Sequence, residues 1–169
     1  MARKMATNQN SHMKMLKSYF FKTFTQPLAR IYWKVFKPKT YGSRAIVLYN
    51  DQILLIKNPS AKHWSLPGGH IEKGETPEQC IIRELKEELD LSINRVEFKL
   101  GEYISDNEGK YDTVFIFVIK LPFPNFSKQW EPDDAKWFKL SELPENISPA
   151  GLRRINEFKS GKISIHSKW

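Results

Sequence analysis

The apolar positions of this chain change period along its length, and each change marks an element. Two almost wholly apolar runs, SRAIVLY at 43–49 and QILLIKN at 52–58, are parted only by Asn50 and Asp51, which predicts a hairpin of buried strands. Residues 93–104 and 111–121, rich in Val, Ile, Phe and Tyr, predict two further strands joined by the polar turn DNEGK. AKWFKL at 135–140 predicts another, and residues 141–143 begin a turn that Pro144 ends. A helical pattern opens at Pro149, runs to residue 159 and is stopped by Gly161. Residues 63–66 extend toward a glycine pair, and residues 37–42, with Pro38 and Gly42, read as a linker into the strands.

Between the second and third strands the period becomes helical. Thr76 can cap, Pro77 suits the first helical position, and Gln79 completes a capping box, so a helix is expected from there to about Leu89. Ile82, Leu85 and Leu89 fall on one stripe, to be buried, while Glu84, Glu87 and Glu88 fall on another. Like charges at these spacings cost an isolated helix roughly 0.2–0.5 kcal/mol per pair, so the acidic stripe points to a cation that offsets it. A hard divalent ion such as Mg²⁺ takes oxygen ligands of this kind together with substrate phosphates, whereas no His or Cys spacing suits zinc. A helix after the extended residues 63–66 and another near the end make the chain α+β.

The net charge of +8 is unevenly placed: residues 1–50 hold no acidic residue and carry +10, and the rest carries −2. Within the basic part, Leu16, Phe20 and Phe24, then Leu28, Ile31 and Val35 after Pro27, predict two short amphipathic helices over residues 14–36. Their apolar face is expected to pack on the domain. Contact with an anionic membrane surface, or with nucleic acid, is the alternative. Residues 1–41 thus form a basic N-terminal extension and residues 42–169 the domain. The single cysteine, Cys80, excludes an internal disulfide, reads as a small buried side chain, and fits a cytoplasmic location, free or membrane-peripheral.

Residues 66–91, LPGGHIEKGETPEQCIIRELKEELDL, resemble the Nudix box. Gly69, Glu75, Arg83, Glu84, Leu85, Glu87, Glu88 and Leu91 stand in register with its pattern. Asp90 replaces the pattern's glycine, where a left-handed turn ends the helix and Asp is tolerated better than most residues. The resemblance covers about residues 42–160. It implies the Nudix fold, a mixed β-sheet packed between helices, and divalent-metal-dependent hydrolysis of a diphosphate bond in a nucleoside diphosphate linked to another moiety.

The resemblance also implies roles. Glu84, Glu87 and Arg83 are the catalytic candidates, with Arg83 orienting a neighbouring Glu. Glu84, Glu87, Glu88 and the Gly69 carbonyl are the candidates for holding Mg²⁺ or Mn²⁺, with Glu75 supporting them from behind. Gly68, His70 and Trp64 are placed at the substrate. The general base belongs to the box or to Glu131, Asp133 or Asp134, and His63, Tyr103, Phe126 and Trp130 are further candidates near a nucleotide. Two other readings stay open: a nucleotide-sensing Nudix-fold module without turnover, toward which Asp90 points, and a membrane- or RNA-tethered protein acting through its basic N-terminus.

Overall fold

The computed structural model describes residues 39–58, 61–105, 111–124, 126 and 134–169. Segment 14–36, turn 106–110, Trp130, Glu131 and Asp133 lie outside them.

Strands β1 (Lys39–Tyr49) and β2 (Gln52–Lys57) make the expected hairpin, with Tyr49 opposite Gln52 and Asn50 in the left-handed conformation at φ 52°. Helix α1 (Pro77–Leu89), β3 (Phe98–Ser105), β4 (Tyr111–Lys120), β5 (Asp134–Lys139), helix α2 (Pro149–Lys159) and β6 (Ser164–Lys168) follow. The strands form one sheet in the order β5-β2-β1-β4-β3-β6. β1–β2, β2–β5 and β3–β4 are antiparallel and β3–β6 is parallel, so the sheet is mixed.

Alternation along the strands sends successive side chains to opposite faces. Ala45, Val47, Leu54, Ile56, Phe117 and Ile119 pack with Ile81, Leu85 and Leu89 of α1. Their neighbours Ile46, Leu48, Ile53, Leu55, Ile116 and Val118 pack with Ile155 of α2. The runs look continuously apolar because both faces are covered. Both helices are capped, α1 as its sequence predicts. Thr76 and Gln79 exchange two hydrogen bonds at 3.2 and 2.9 Å, and Ser148 Oγ accepts from the Gly151 N–H at 3.1 Å.

Four expectations change. Residues 39–42 are strand rather than linker, because Thr40 Oγ1 donates to Asp112 at 2.8 Å and Gly42 pairs with His70. β3 starts at Phe98, not at residue 93; Leu91, Ile93 and Val96 are instead loop residues against the α1 cluster. Ile81, not Ile82, joins Leu85 and Leu89 in the core, leaving Ile82 half-buried. β6 was not expected. It is held from α2, where Arg154, 2% exposed, donates to the Lys168 carbonyl at 2.9 Å and to Glu157 at 2.8 Å and stacks 3.8 Å over Tyr103. Among the described residues no helix is long and apolar enough to cross a membrane.

Candidate active site

The glycine loop is tied down one carbonyl at a time. Ala45 N–H donates to Pro67 O and Ser43 N–H to Gly69 O, both at 3.0 Å. Arg44 Nη1 donates to Gly68 O and, weakly at 3.5 Å, to Leu66 O. Arg83 Nη2 donates to His70 O at 3.1 Å. Every carbonyl from Leu66 to His70 is therefore engaged, four of them by the β1 segment 43–45. Ser43, fully buried, also donates from its hydroxyl to Pro77 O at 2.7 Å, which seats the first turn of α1 against the same strand.

Two glycines are required by space, and Gly68 by conformation as well. Gly68 has φ 126°, and a Cβ there would stand 2.2 Å from Ser43 O. The place of a Gly69 Cβ is taken by the Glu84 carboxylate.

Arg83 organises the acidic face. Its guanidinium grips Glu75 with two bonds of 2.9 and 3.0 Å, and gives one bond to Glu84 (2.9 Å) and one to Glu87 (3.2 Å). With the bond to His70 O, its N–H donors are all spent, so Arg83 positions Glu84 and Glu87 and has none left for substrate. The Arg83 hydrogen bonds hold the Glu75 carboxyl at about 2, well below the usual carboxylate range, against burial that would raise it. Hydrogen bonding to Glu75 likewise drives Arg83 further above its ordinary value. Glu88 is held separately, accepting from the Gly68 N–H at 3.1 Å. Cys80 is buried behind this network, 3.4 Å from His70 O, and burial pushes its thiol up to about 11.

The other expected residues divide. Gly68 and Gly69 are against the carboxylates, and the exposed His70 follows them directly. Trp64 is only 8% exposed and packs edge-on against Phe138 at 5.0 Å, so it is a core ring without a face for a base to stack on. Tyr103 is fully buried and donates to Glu157 at 2.8 Å. Phe126 packs against Trp137, His63 is exposed, and Asp134 pairs with Lys136 at 3.1 Å. Arg44 and Ser43 were missed. The available signal was a polar pair, Ser-Arg, opening an otherwise apolar strand.

Residues 39–157 match the NUDIX domain family. The chain belongs to the Nudix family. A Bacillus subtilis (strain 168) protein provisionally named as an 8-oxo-dGTP diphosphatase is 32% identical over 128 residues, 75% of this chain and 85% of the relative. An ADP-ribose pyrophosphatase of Methanocaldococcus jannaschii is 34% identical over 105 residues, 59% of this chain; the match spans 62% of that relative's length. The crystal structure of a MutT NUDIX hydrolase from Burkholderia pseudomallei superposes with a TM-score of 0.61 at 27% identity, covering 70% of this chain and 96% of that one. This Nudix protein is a Nudix-type pyrophosphohydrolase.

Nudix hydrolases generally use divalent metals. Among the described residues no group of three or more His, Cys, Asp or Glu side chains closes into a cage by itself. The donors nevertheless fit a hard ion that takes one or two carboxylates and completes its shell with phosphate and water. They are oxygen donors on one helix face, and the missing Gly69 side chain makes room for one of them.

Proposed function

We propose that this Nudix hydrolase uses Mg²⁺ or Mn²⁺ held by Glu84, Glu87 and Glu88, with the Gly69 carbonyl contributing its second lone pair. When bound, the ion neutralises diphosphate oxygens and lowers the cost of deprotonating water. The chain's own residues then do the positioning. Arg83 fixes Glu84 and Glu87, Glu75 fixes Arg83, and the Gly68 N–H fixes Glu88, so the carboxylates meet the substrate with little reorganisation. Water attacks one phosphorus, the P–O bond to the bridging oxygen breaks, and the proton released by water passes to a carboxylate of the box, Glu84 or Glu87.

The observation that carries this reading is the single guanidinium joining Glu75, Glu84 and Glu87 beside the glycine loop. A nucleoside diphosphate bearing a further group is common to ADP-ribose and to dGTP derivatives, the substrates in the relatives' names, and is the substrate class proposed here. Gly68 and the exposed His70 are the residues next to its phosphates. Residues 39–169, with β1 starting at Lys39, constitute the catalytic domain and residues 1–38 a basic extension carrying +8, whose charge favours an anionic surface at the periphery of a cytoplasmic membrane.

Hydrolysis of nucleoside triphosphates, nucleotide sugars and dinucleotides, with metal added and then chelated, tests the reading. Glu87→Gln and Glu88→Gln are expected to lose on the order of 10²–10⁴ in rate while folding normally. Near-normal turnover in both folded variants would sink the assignment.

A further inference from the structure

Gly68 stands between a cation and a carboxylate. Its N–H donates to Glu88 Oε2 at 3.1 Å, and its carbonyl accepts from Arg44 Nη1. The carbonyls on either side, Pro67 O and Gly69 O, are held by backbone N–H groups of β1; the Gly68 carbonyl between them is held by a side chain. That middle position is also the weak point of the loop. It lies at a Gly-Gly step, with Gly68 at φ 126°, where the backbone has the widest choice of other conformations.

Arg44 is suited to close that choice. It is half-buried, and among the described residues it makes no ion pair, so its charge is directed to carbonyl dipoles rather than to a carboxylate. A charge-assisted bond is roughly twice as strong as a neutral one. Its own Cα lies 3.0 Å from where a Gly68 Cβ would stand, so strand and loop are already in contact and the side chain has only to wrap onto the carbonyl.

We propose that Arg44 is a positioning residue for Glu88: by holding the Gly68 carbonyl it aims the Gly68 N–H at the Glu88 carboxylate, and through it sets the affinity of the site for its divalent ion. The metal part of this inference rests on the reading of Glu88 as a ligand given above. Arg44 touches neither the ion nor the substrate, and its effect is transmitted through one residue.

The test uses the full chain and the variants Arg44→Ala, Arg44→Lys, Glu88→Gln and the double variant Arg44→Ala with Glu88→Gln. Mn²⁺ affinity is measured by calorimetry without substrate, and exchange of the Gly68 amide by NMR. Arg44→Ala is expected to weaken Mn²⁺ binding about 10–100-fold and to speed Gly68 exchange. Arg44→Lys, which keeps a donor and a charge, should recover part of both, and it carries the test if the alanine variant fails to fold. The double variant should bind Mn²⁺ no more weakly than Glu88→Gln alone, since Arg44 acts on the ion only through the Glu88 carboxylate that the second change removes.

Wild-type Mn²⁺ affinity in the Arg44→Ala variant, or losses that multiply in the double variant, would overturn the proposal. If Glu88→Gln itself keeps wild-type affinity, the metal assignment of Glu88 fails instead. Gly68 exchange then decides the remaining point: an unchanged rate in Arg44→Ala removes Arg44 from the Gly68–Glu88 contact.

Discussion

The Glu84 carboxylate occupies the space that a side chain on Gly69 would need, so that an added Cβ would lie 2.2 Å from Oε1 and 2.6 Å from Oε2. The obstacle is the end of a flexible side chain and not backbone, so Gly69→Ala should displace Glu84 rather than break the fold. A stability change within about 1 kcal/mol is expected, together with a rate loss of about 10²-fold from a ligand misplaced by an ångström. Thermal unfolding and steady-state kinetics on the same sample check the split. Gly68→Ala should behave oppositely, because its Cβ meets the Ser43 carbonyl at positive φ. Strain of about 1–3 kcal/mol should appear directly in the unfolding midpoint.

Asp90 ends α1 at φ 56° and ψ 25°, with its N–H donating to Lys86 O at 3.0 Å and its carboxylate paired with Lys86. Asp90→Gly relieves roughly 1 kcal/mol of left-handed strain. The same change removes about 0.3 kcal/mol of unfavourable charge at a helix C-terminus. It forfeits an exposed ion pair of about 0.3–0.5 kcal/mol. The two small effects offset, so a net gain near 1 kcal/mol in urea unfolding is expected with the range of substrates unchanged. A loss of stability would show that the Lys86 pair outweighs the turn.

Glu75 gives the fold a pH dependence of known sign. Its folded value of about 2 lies below its ordinary value of 4.5, so the Arg83–Glu75 pair contributes fully above about pH 4.5 and is lost as pH falls toward 2. The stability difference between wild type and Glu75→Gln should therefore be constant from neutral pH to about pH 5 and shrink below it. Urea unfolding at half-unit pH steps measures it. A difference that does not depend on pH between 5 and 2 would show that the pair forms equally in the unfolded chain.

What was legible in the sequence was what neighbouring residues decide among themselves. Thr76, Pro77 and Gln79 start α1 by hydrogen bonds spanning three residues, and Glu84, Glu87 and Glu88 share a face because a helix turns every 3.6 residues. The turn at Asn50 and the left-handed Asp90 belong to the same local class. Which apolar residue of α1 meets the sheet is different. Ile81 and Ile82 both border the apolar arc with Leu85 and Leu89, and only the rotation at which the helix docks selects Ile81.

The remainder needed partners far away in the chain. β6 has little apolar pattern and exists because β3 offers it an edge and Arg154 reaches its backbone. Trp64 and Tyr103 have the composition of a stacking platform, yet packing against Phe138 and bonding to Glu157 turned them into core. Arg44 is one charge in an apolar strand until the glycine loop, more than 20 residues on, places the Gly68 carbonyl against it. Local hydrogen-bond geometry and helical period determined the box, its caps and its acidic face. Only the tertiary structure, by bringing β1 against the loop before α1, decided how Glu88 is held, because the Gly68–Glu88 and Arg44–Gly68 contacts join groups whose separation along the chain carries no periodic signal.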